Sequence, residues 1–543
     1  MIKNTYIAFL VILIGILELV NAQQTDLKAA KFRAENLLPS PQHLELHNQL
    51  FKLSQNTLVH SNANAKNAIA YFQNKLFLAS GYYLKNSNKQ QHNLITFTSD
   101  TSIAPEGYSL EINNAAITVQ ASDSSGFFYG VQTLLQLLDP NIYQPKSATG
   151  KSWNLIGLKI QDSPKHRWRS FMLDSGREYQ SLSFIKKYLD HMAMLKMNVF
   201  HWHLTEGQGW RIEIKSYPKL TEIGAHVSEG SSKGRYYTQQ DIKEIVSYAK
   251  ERCITVVPEI DIPGHSEAAL TAYPEHSCFK EKPSAKMTFS ATLFCGGRES
   301  TYAFLETIFD EVCALFPSQY IHIGGDEAPK ERWKACSDCQ AKIKKENLHN
   351  EHELQVYFSN RIARYLKTKD RKAICWGDII HEEGPDLEDN IVVYWWNWRR
   401  HKTKTLDKSI EKRIPVICGT NYYNYLNFPV TPWSKYTKAR TFDLKKVYQK
   451  NPSNLSDNKI TNAGNVLGMG TCLWTDWHVK EGMIDKRVFP RIYAISEQMW
   501  HIGTTLSFEV FYKKVKNQYP KLKGMGIDFG PAMETEITPD FNW

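Results

Sequence analysis

Two adjacent carboxylates, Asp326 and Glu327, close the run His322-Ile-Gly-Gly-Asp-Glu327. An Asp-Glu pair by itself is common: Asp310-Glu311 falls inside a helical pattern, where a solvated face accounts for it. The pair at 326 differs in its setting. It ends a short apolar strand and follows two glycines, which let a backbone or a ligand come close. Cleaving a glycosidic bond takes a proton donor for the leaving oxygen and an anionic group on the other side of the sugar. Two carboxylates beyond a strand end supply both if the turn aims them together. Other polar residues also follow apolar runs: Asp174 and Arg177; His201-Trp-His203 with Glu206 beyond; Glu259, Asp261 and His265. Trp376-Gly-Asp378, Trp395-Trp396 and Trp474-Thr-Asp476 do the same, and Tyr422, Tyr423 and Tyr425 follow a further run.

Such positions impose an architecture. After Pro164, short β-branched or apolar runs alternate with longer helical patterns. The candidate strands are Ser170–Leu173, Val199–His203, Thr255–Glu259, Tyr320–Ile323, Ala373–Trp376, Ile391–Tyr394, Pro415–Cys418 and Leu467–Leu473. The first helix between them carries Ile185, Tyr188, Leu189, Met192 and Leu195 at helical spacing, with Ser181 as its N-cap. Eight strands with intervening helices over about 340 residues predict a (β/α)8 barrel, whose chemistry sits beyond the C-terminal strand ends. Upstream, the spacing predicts helices over 63–78 and 127–138 and strands over 94–98, 108–112 and 117–121, a small α+β layer. The Pro-, Gly- and Ser-containing stretch 139–150 reads as a connector. The expected division is a leader over 1–22, an α+β domain over 23–160 and a TIM barrel with a C-terminal extension over 161–543.

His322-Ile-Gly-Gly-Asp-Glu327 resembles the signature of the family 20 glycoside hydrolases, the β-N-acetylhexosaminidases. The resemblance extends to Leu173-Asp-Ser-Gly-Arg177, to His201-Trp-His-Leu-Thr-Glu-Gly-Gln-Gly-Trp-Arg211 and to Pro258-Glu-Ile-Asp-Ile-Pro-Gly-His265. Trp376, Trp396, Tyr425 and Trp474 follow in the family's order, and 126–136 resembles the end of its small N-terminal domain. The resemblance implies an exo-acting, retaining reaction in which the sugar's 2-acetamido oxygen attacks the anomeric carbon, giving an oxazolinium ion. Asp326 would orient the acetamide N–H, and Glu327 would act as general acid and then base. Arg177 would hydrogen-bond the O3 and O4 hydroxyls; Trp376, Trp396 and Trp474 would wall the acetamide pocket, with Trp395 as an alternative to Trp396. Tyr425 would hold the acetamide oxygen. Asp476 would accept from O4 and O6, where the family has Glu, and Glu206 would hold His265 against the acid, where the family usually has Asp. Family members commonly read Tyr-Leu-Asp where this chain has Tyr425-Leu426-Asn427, near O6, so better tolerance of a 6-sulfate is expected. Neither a metal nor an organic cofactor is required, and the partner is a glycan ending in β-linked N-acetylglucosamine or N-acetylgalactosamine.

The rest of the sequence narrows the alternatives. The 543 residues carry Lys+Arg 66 against Asp+Glu 56, a net charge of +10 too dispersed to indicate nucleic-acid binding. Fourteen Trp, 27 Tyr and 25 Phe suit the binding of sugar faces as well as core packing. Lys3, the apolar run 7–17 and Val20-Asn21-Ala22 read as a secretory leader, so the chain is expected to be exported without stable insertion in a membrane. None of the nine cysteines precedes Cys253. Cys336-Ser-Asp-Cys339 is half of a zinc pattern without a second CxxC, and disulfides Cys336–Cys339 and Cys278–Cys295 are expected. Two rival readings are a metal-dependent barrel hydrolase using His201, His203, His265, His322 and Asp326, and an inactive glycan-binding barrel. The oligomeric state is left open.

Overall fold

The structure is a computed structural model. It describes residues 21–538 except 22, 62, 88–91, 145–152, 228, 284–291, 431–441, 455–463 and 503–505. The expected leader, save residue 21, and the second half of the expected connector therefore lie outside the described residues. The chain divides into two compact units. One is Met1–Lys165 with Met194–Lys196 and Trp500–Asp528; the other is His166–Ala193, Met197–Met499 and Phe529–Trp543.

The first unit holds a seven-stranded mixed sheet. Its strands are β1 (His43–Leu53), β2 (Leu58–Ser61), β3 (Lys85–Asn86), β4 (Leu94–Ser99), β5 (Tyr108–Ile112), β6 (Ala116–Ala121) and β7 (Trp153–Asp162), in the order β1-β7-β5-β6-β4-β2-β3. Helices Lys66–Ser80 and Ser124–Leu137 accompany it. Asp123 caps the second, accepting from Gly126 N. The sequence predicts β4, β5 and β6 but not β1, β2, β3 or β7. In β1 only Phe51 and Leu53 are buried, and a bulge between His47 and Leu50 breaks the alternation. Asp162, at the end of β7, is buried with Lys196 Nζ 2.8 Å from its Oδ2. Tyr108 donates to the same oxygen at 2.7 Å, and Trp500 Nε1 donates to Oδ1 at 2.9 Å.

The second unit is a closed barrel of eight parallel strands. They are β8 (Trp168–Asp174), β9 (Val199–His203), β12 (Thr255–Glu259), β13 (Tyr320–His322), β14 (Lys372–Trp376), β15 (Ile391–Trp395), β16 (Val416–Cys418) and β17 (Val466–Leu473), which pairs back to β8. A two-stranded ribbon, β10 (Thr205–Glu206) and β11 (Gly209–Trp210), follows β9. All eight barrel strands coincide with the expected ones to within two residues at either end. Helix Leu182–Met194 buries Ile185, Tyr188, Leu189 and Met192, the predicted face. Among the described residues no helix is long and apolar enough to cross a membrane. None of the nine cysteines is joined in a disulfide, so neither expected disulfide forms. The sulfurs of Cys278, Cys295, Cys336 and Cys339 instead meet in one cluster.

Candidate active site

The floor of the site is one polar layer of the barrel. Strand register sets Glu259 beside His203 on one side and beside His322 on the other. Glu259 is fully buried: its Oε2 lies 2.8 Å from His201 Nε2 and 2.5 Å from His203 Nδ1, and its Oε1 accepts from Trp376 Nε1 at 2.8 Å. Burial alone would raise its pKa, but His203, His322 and His201 hold the carboxyl well below the usual range. Burial pushes His201 down to about 4, so the charge of this layer centres on Glu259 and His203.

Above this layer the loops after β8, β9, β12 and β13 converge. Arg177 puts Nη1 2.9 Å from Asp174 and Nη2 2.5 Å from Glu206 Oε1. Burial opposes the arginine's charge, yet Glu206, Asp174 and Asp476 raise its pKa further. The other Glu206 oxygen is 3.1 Å from His265 Nδ1, and His265 Nε2 is 3.4 Å from Asp326 Oδ2 and 3.9 Å from Glu327 Oε2. Glu206, longer than the Asp that the family resemblance would supply, thus reaches both Arg177 and His265. Burial would lower the His265 pKa, but Glu206, Asp326 and Asp261 hold it well above its ordinary value. Backbone geometry aims this array. His265 and Glu327 adopt the left-handed region at φ 49° and 46°, and so does Gly324 at φ 69°. A Cβ on Gly324 would sit 1.7 Å from Asp261 Oδ1, so only glycine lets β13 turn here. The result brings carboxylate oxygens of Asp326 and Glu327 within 4.8 Å of each other. The Glu327 side chain is 58% exposed, yet the pocket wall on its protein side, and then Asp326, raise its pKa. Asp326 Oδ1 is buried and accepts no hydrogen bond from any described residue.

Aromatic residues form the wall. Trp376 packs 5.8 Å from Trp474, Trp474 lies 5.9 Å from Tyr425, and Tyr425 runs parallel to Trp396 at 6.4 Å. The Arg177 guanidinium is 5.1 Å from the Trp474 ring. Trp395 is removed from this wall: it packs with Leu406, Val416 and Cys418 outside the barrel and donates to Lys402 O at 2.8 Å. Alternation along β15 puts one indole on each side, which selects Trp396. Trp396 Nε1 donates at 2.6 Å to Asp378, whose pKa burial and the Asp326 charge push up to about 7. Asn427, 1% exposed, donates through Nδ2 to Asp476 Oδ1 at 3.0 Å, while its backbone carbonyl accepts from Arg487 Nη1 at 2.6 Å.

The expected residues therefore meet on one face. Glu259, Asp261 and Asp378 follow strands as the sequence indicates, but their parts in the site were not expected. Asp261 is buried, accepts from Gly325 N at 3.3 Å and has its pKa raised well above normal by burial and by Asp326. The rival metal set does not converge. Among the described residues His201 and His322 group with Glu259, His203 with Glu259 and Asp261, and His265 with Glu206 and Asp261 or with Asp326 and Glu327; no one group gathers the whole rival set.

The profile of the glycosyl hydrolase family 20 catalytic domain matches residues 166–502, and that of domain 2 of the same family matches 34–163. A β-hexosaminidase of Porphyromonas gingivalis is 35% identical over 427 residues, covering 77% of this chain and 54% of that protein. One of Vibrio furnissii is 31% identical over 409 residues, covering 71% and 64%. The matched region thus spans less than two thirds of either relative. The crystal structure of a Bacteroides fragilis β-N-acetylhexosaminidase superposes with TM-score 0.86 at 45% identity, covering 93% of this chain and 99% of that one. A Vibrio harveyi family 20 exo-β-N-acetylglucosaminidase in complex with N-acetylglucosamine superposes with TM-score 0.81 at 27% identity, covering 92% and 79%. With both domain profiles matched in order, the catalytic one over the barrel that carries the carboxylate pair, this chain belongs to glycosyl hydrolase family 20.

Proposed function

We propose that this chain is an exo-acting, retaining β-N-acetylhexosaminidase that removes terminal N-acetylhexosamine from glycans with the substrate's own acetamide as nucleophile. The observation that carries the reading is Asp326 Oδ1, a buried carboxylate oxygen without a donor among the described residues, next to a Glu327 whose pKa is raised. An acetamide N–H is the donor that oxygen lacks. Accepting from it stabilises the positive charge that grows as the amide oxygen attacks the anomeric carbon. Glu327 then protonates the leaving oxygen, and its anion deprotonates the water that opens the oxazolinium ion. Two inversions give net retention. Arg177 hydrogen-bonds ring hydroxyls, Tyr425 holds the acetamide oxygen, and Trp376, Trp396 and Trp474 cover its methyl group and the sugar face. Glu206 and His265 keep the array oriented, and Asn427 and Asp476 face O4 and O6. The N-acetylglucosamine bound by the Vibrio harveyi enzyme supports the substrate class. Residues 1–22 act as a leader that exports the chain, which binds glycans rather than nucleic acid or membrane.

The test is turnover of 4-nitrophenyl N-acetyl-β-glucosaminide beside the matching β-glucoside, with proton NMR of the first-formed sugar. Release of the β-anomer from the first substrate, with the glucoside nearly inert, is expected. An initial α-anomer, or comparable turnover of the glucoside, overturns the mechanism.

A further inference from the structure

Cys278, Cys295, Cys336 and Cys339 come from two loops: one runs from β12 to helix Glu299–Leu315, the other from β13 to helix Glu351–Lys367. Their sulfurs are buried and all lie within 4.8 Å of one another. Cys278–Cys339 and Cys295–Cys336 are 3.8 Å apart, and Cys295–Cys339 are 3.7 Å apart. A disulfide needs about 2.05 Å between sulfurs. A tetrahedron with metal–sulfur bonds of about 2.3 Å has edges of about 3.8 Å. From this geometry we propose that the four thiolates hold a structural zinc ion, separate from the glycan site.

The surroundings fit a thiolate metal centre. Cys336 is the N-cap of helix Ser337–Lys345 and Cys339 lies in its first turn, so the positive end of the helix meets the sulfurs. The Arg298 guanidinium stands next to the cluster, its Nη2 2.6 Å from Cys278 O. Arg298 also locks the two loops together. It donates to Ser277 O and Cys278 O at 2.6 Å and to Asp338 Oδ2 at 2.5 Å. A Cβ on Gly297 would come 2.5 Å from Cys339 N, so only glycine fits where the first loop passes the second. Four thiolates and Zn2+ leave a net charge of −2, against which Arg298 stands. Four sulfur donors in a tetrahedron suit zinc, and a site with all four positions filled by protein is structural rather than catalytic.

The ion clips together the two loops that carry catalytic groups. Phe294, beside Cys295, donates its N–H to Pro263 O at 3.0 Å, two residues before His265, and accepts from Trp333 Nε1 at 2.9 Å. Asp326 and Glu327 precede Trp333 on the second loop.

The experiment uses the full chain purified in air without added metal. Elemental analysis by mass spectrometry should give one zinc per chain, and non-reducing peptide mapping should show no disulfide among these four cysteines. Chain reconstituted with Co2+ should show the intense visible bands of a tetrahedral tetrathiolate site. Cys336→Ser/Cys339→Ser should lose the zinc and lower the Tm, while Cys313→Ala keeps it. If the double variant does not fold, the zinc content and the Co2+ spectrum of the wild-type chain decide the matter. A chain with four free thiols and no zinc, or with a disulfide between any two of them, overturns the proposal.

Discussion

Asn427 and Asp476 offer a sharp test of the electrostatics at the pocket rim. Asn427→Asp replaces the amide N–H that now donates to Asp476 Oδ1 at 3.0 Å with a second carboxylate. Two unit charges at that distance repel by about 5 kcal/mol at an effective dielectric constant of 20, and by about 3 kcal/mol if the side chains part to 5 Å. Arg487, already bonded to Asn427 O and close enough to feel Asp476, offsets part of this. A net penalty of about 2–3 kcal/mol corresponds to a folded-state pKa about two units above the unfolded value near 3.9 for the introduced acid. The sign follows from linkage. A raised folded pKa leaves the variant unpenalised below about pH 4, where its carboxyl is neutral and donates to Asp476 as the amide did. Stability relative to wild type is then lost as pH rises to about 6, and the gap is constant above that. The assay is the Tm of both proteins from pH 4 to pH 8. Coincident values at pH 4 and a gap that opens and levels off are expected. A gap independent of pH, or none at pH 8, would refute the reasoning, because packing or solvent would then be absorbing the charge.

Three further outcomes follow from the site. Glu327→Gln should lose about 100- to 10,000-fold on unactivated oligosaccharides but far less on dinitrophenyl glycosides, which need no acid, whereas Asp326→Asn should slow both; equal losses across leaving groups would merge the two roles. Because Asp378 titrates at about 7 in the fold against about 3.9 unfolded, its contribution is fully present below pH 4 and lost as pH rises through 7. Asp378→Asn should therefore gain Tm relative to wild type between pH 4 and pH 8, which paired melting curves would check. Finally, kcat/KM for 6-sulfated over unsulfated aryl N-acetyl-β-glucosaminide should fall about fivefold in Asn427→Asp, the effect of about 1 kcal/mol of repulsion at ~4 Å in water; an unchanged ratio would mean that this position does not sense charge at O6.

The barrel was legible in the sequence because its strands are mostly buried on both faces and read as short apolar or β-branched runs between turn signals. The small domain was harder: β1 is mostly polar, bulged and paired only with the distant β7, so neither period nor local pairing marks it. In the site, Asp326 and Glu327 could be found because two glycines and a strand end frame them. What could not be read is which neighbouring carboxylates are buried. Glu259 becomes the centre of a histidine layer only through lateral register with His203 and His322, more than fifty residues away on either side. Trp395 stayed an alternative to the expected Trp396 until β15 put the two indoles on opposite sides. Cys278 and Cys295 looked like a staple of their own loop because the chain separation between them is short. Their true neighbours, Cys336 and Cys339, are brought in by the next barrel repeat.

The buried Asp162 bears on how such a chain can be recombined. Its partners Lys196 and Trp500 come from chain segments that follow the first barrel strand and the last, yet they fold into the same compact unit as Asp162. A chimaera cut at residue 165, where the family boundary invites the join, would keep Tyr108 beside the carboxylate but meet foreign residues in place of Lys196 and Trp500. An uncompensated buried charge of this kind destabilises by about 3–5 kcal/mol, enough to unfold a marginal graft. Functional exchanges of the N-terminal domain should therefore carry three pieces of sequence together, those bearing Asp162, Lys196 and Trp500, and lineages that shuffle it are expected to exchange all three as one.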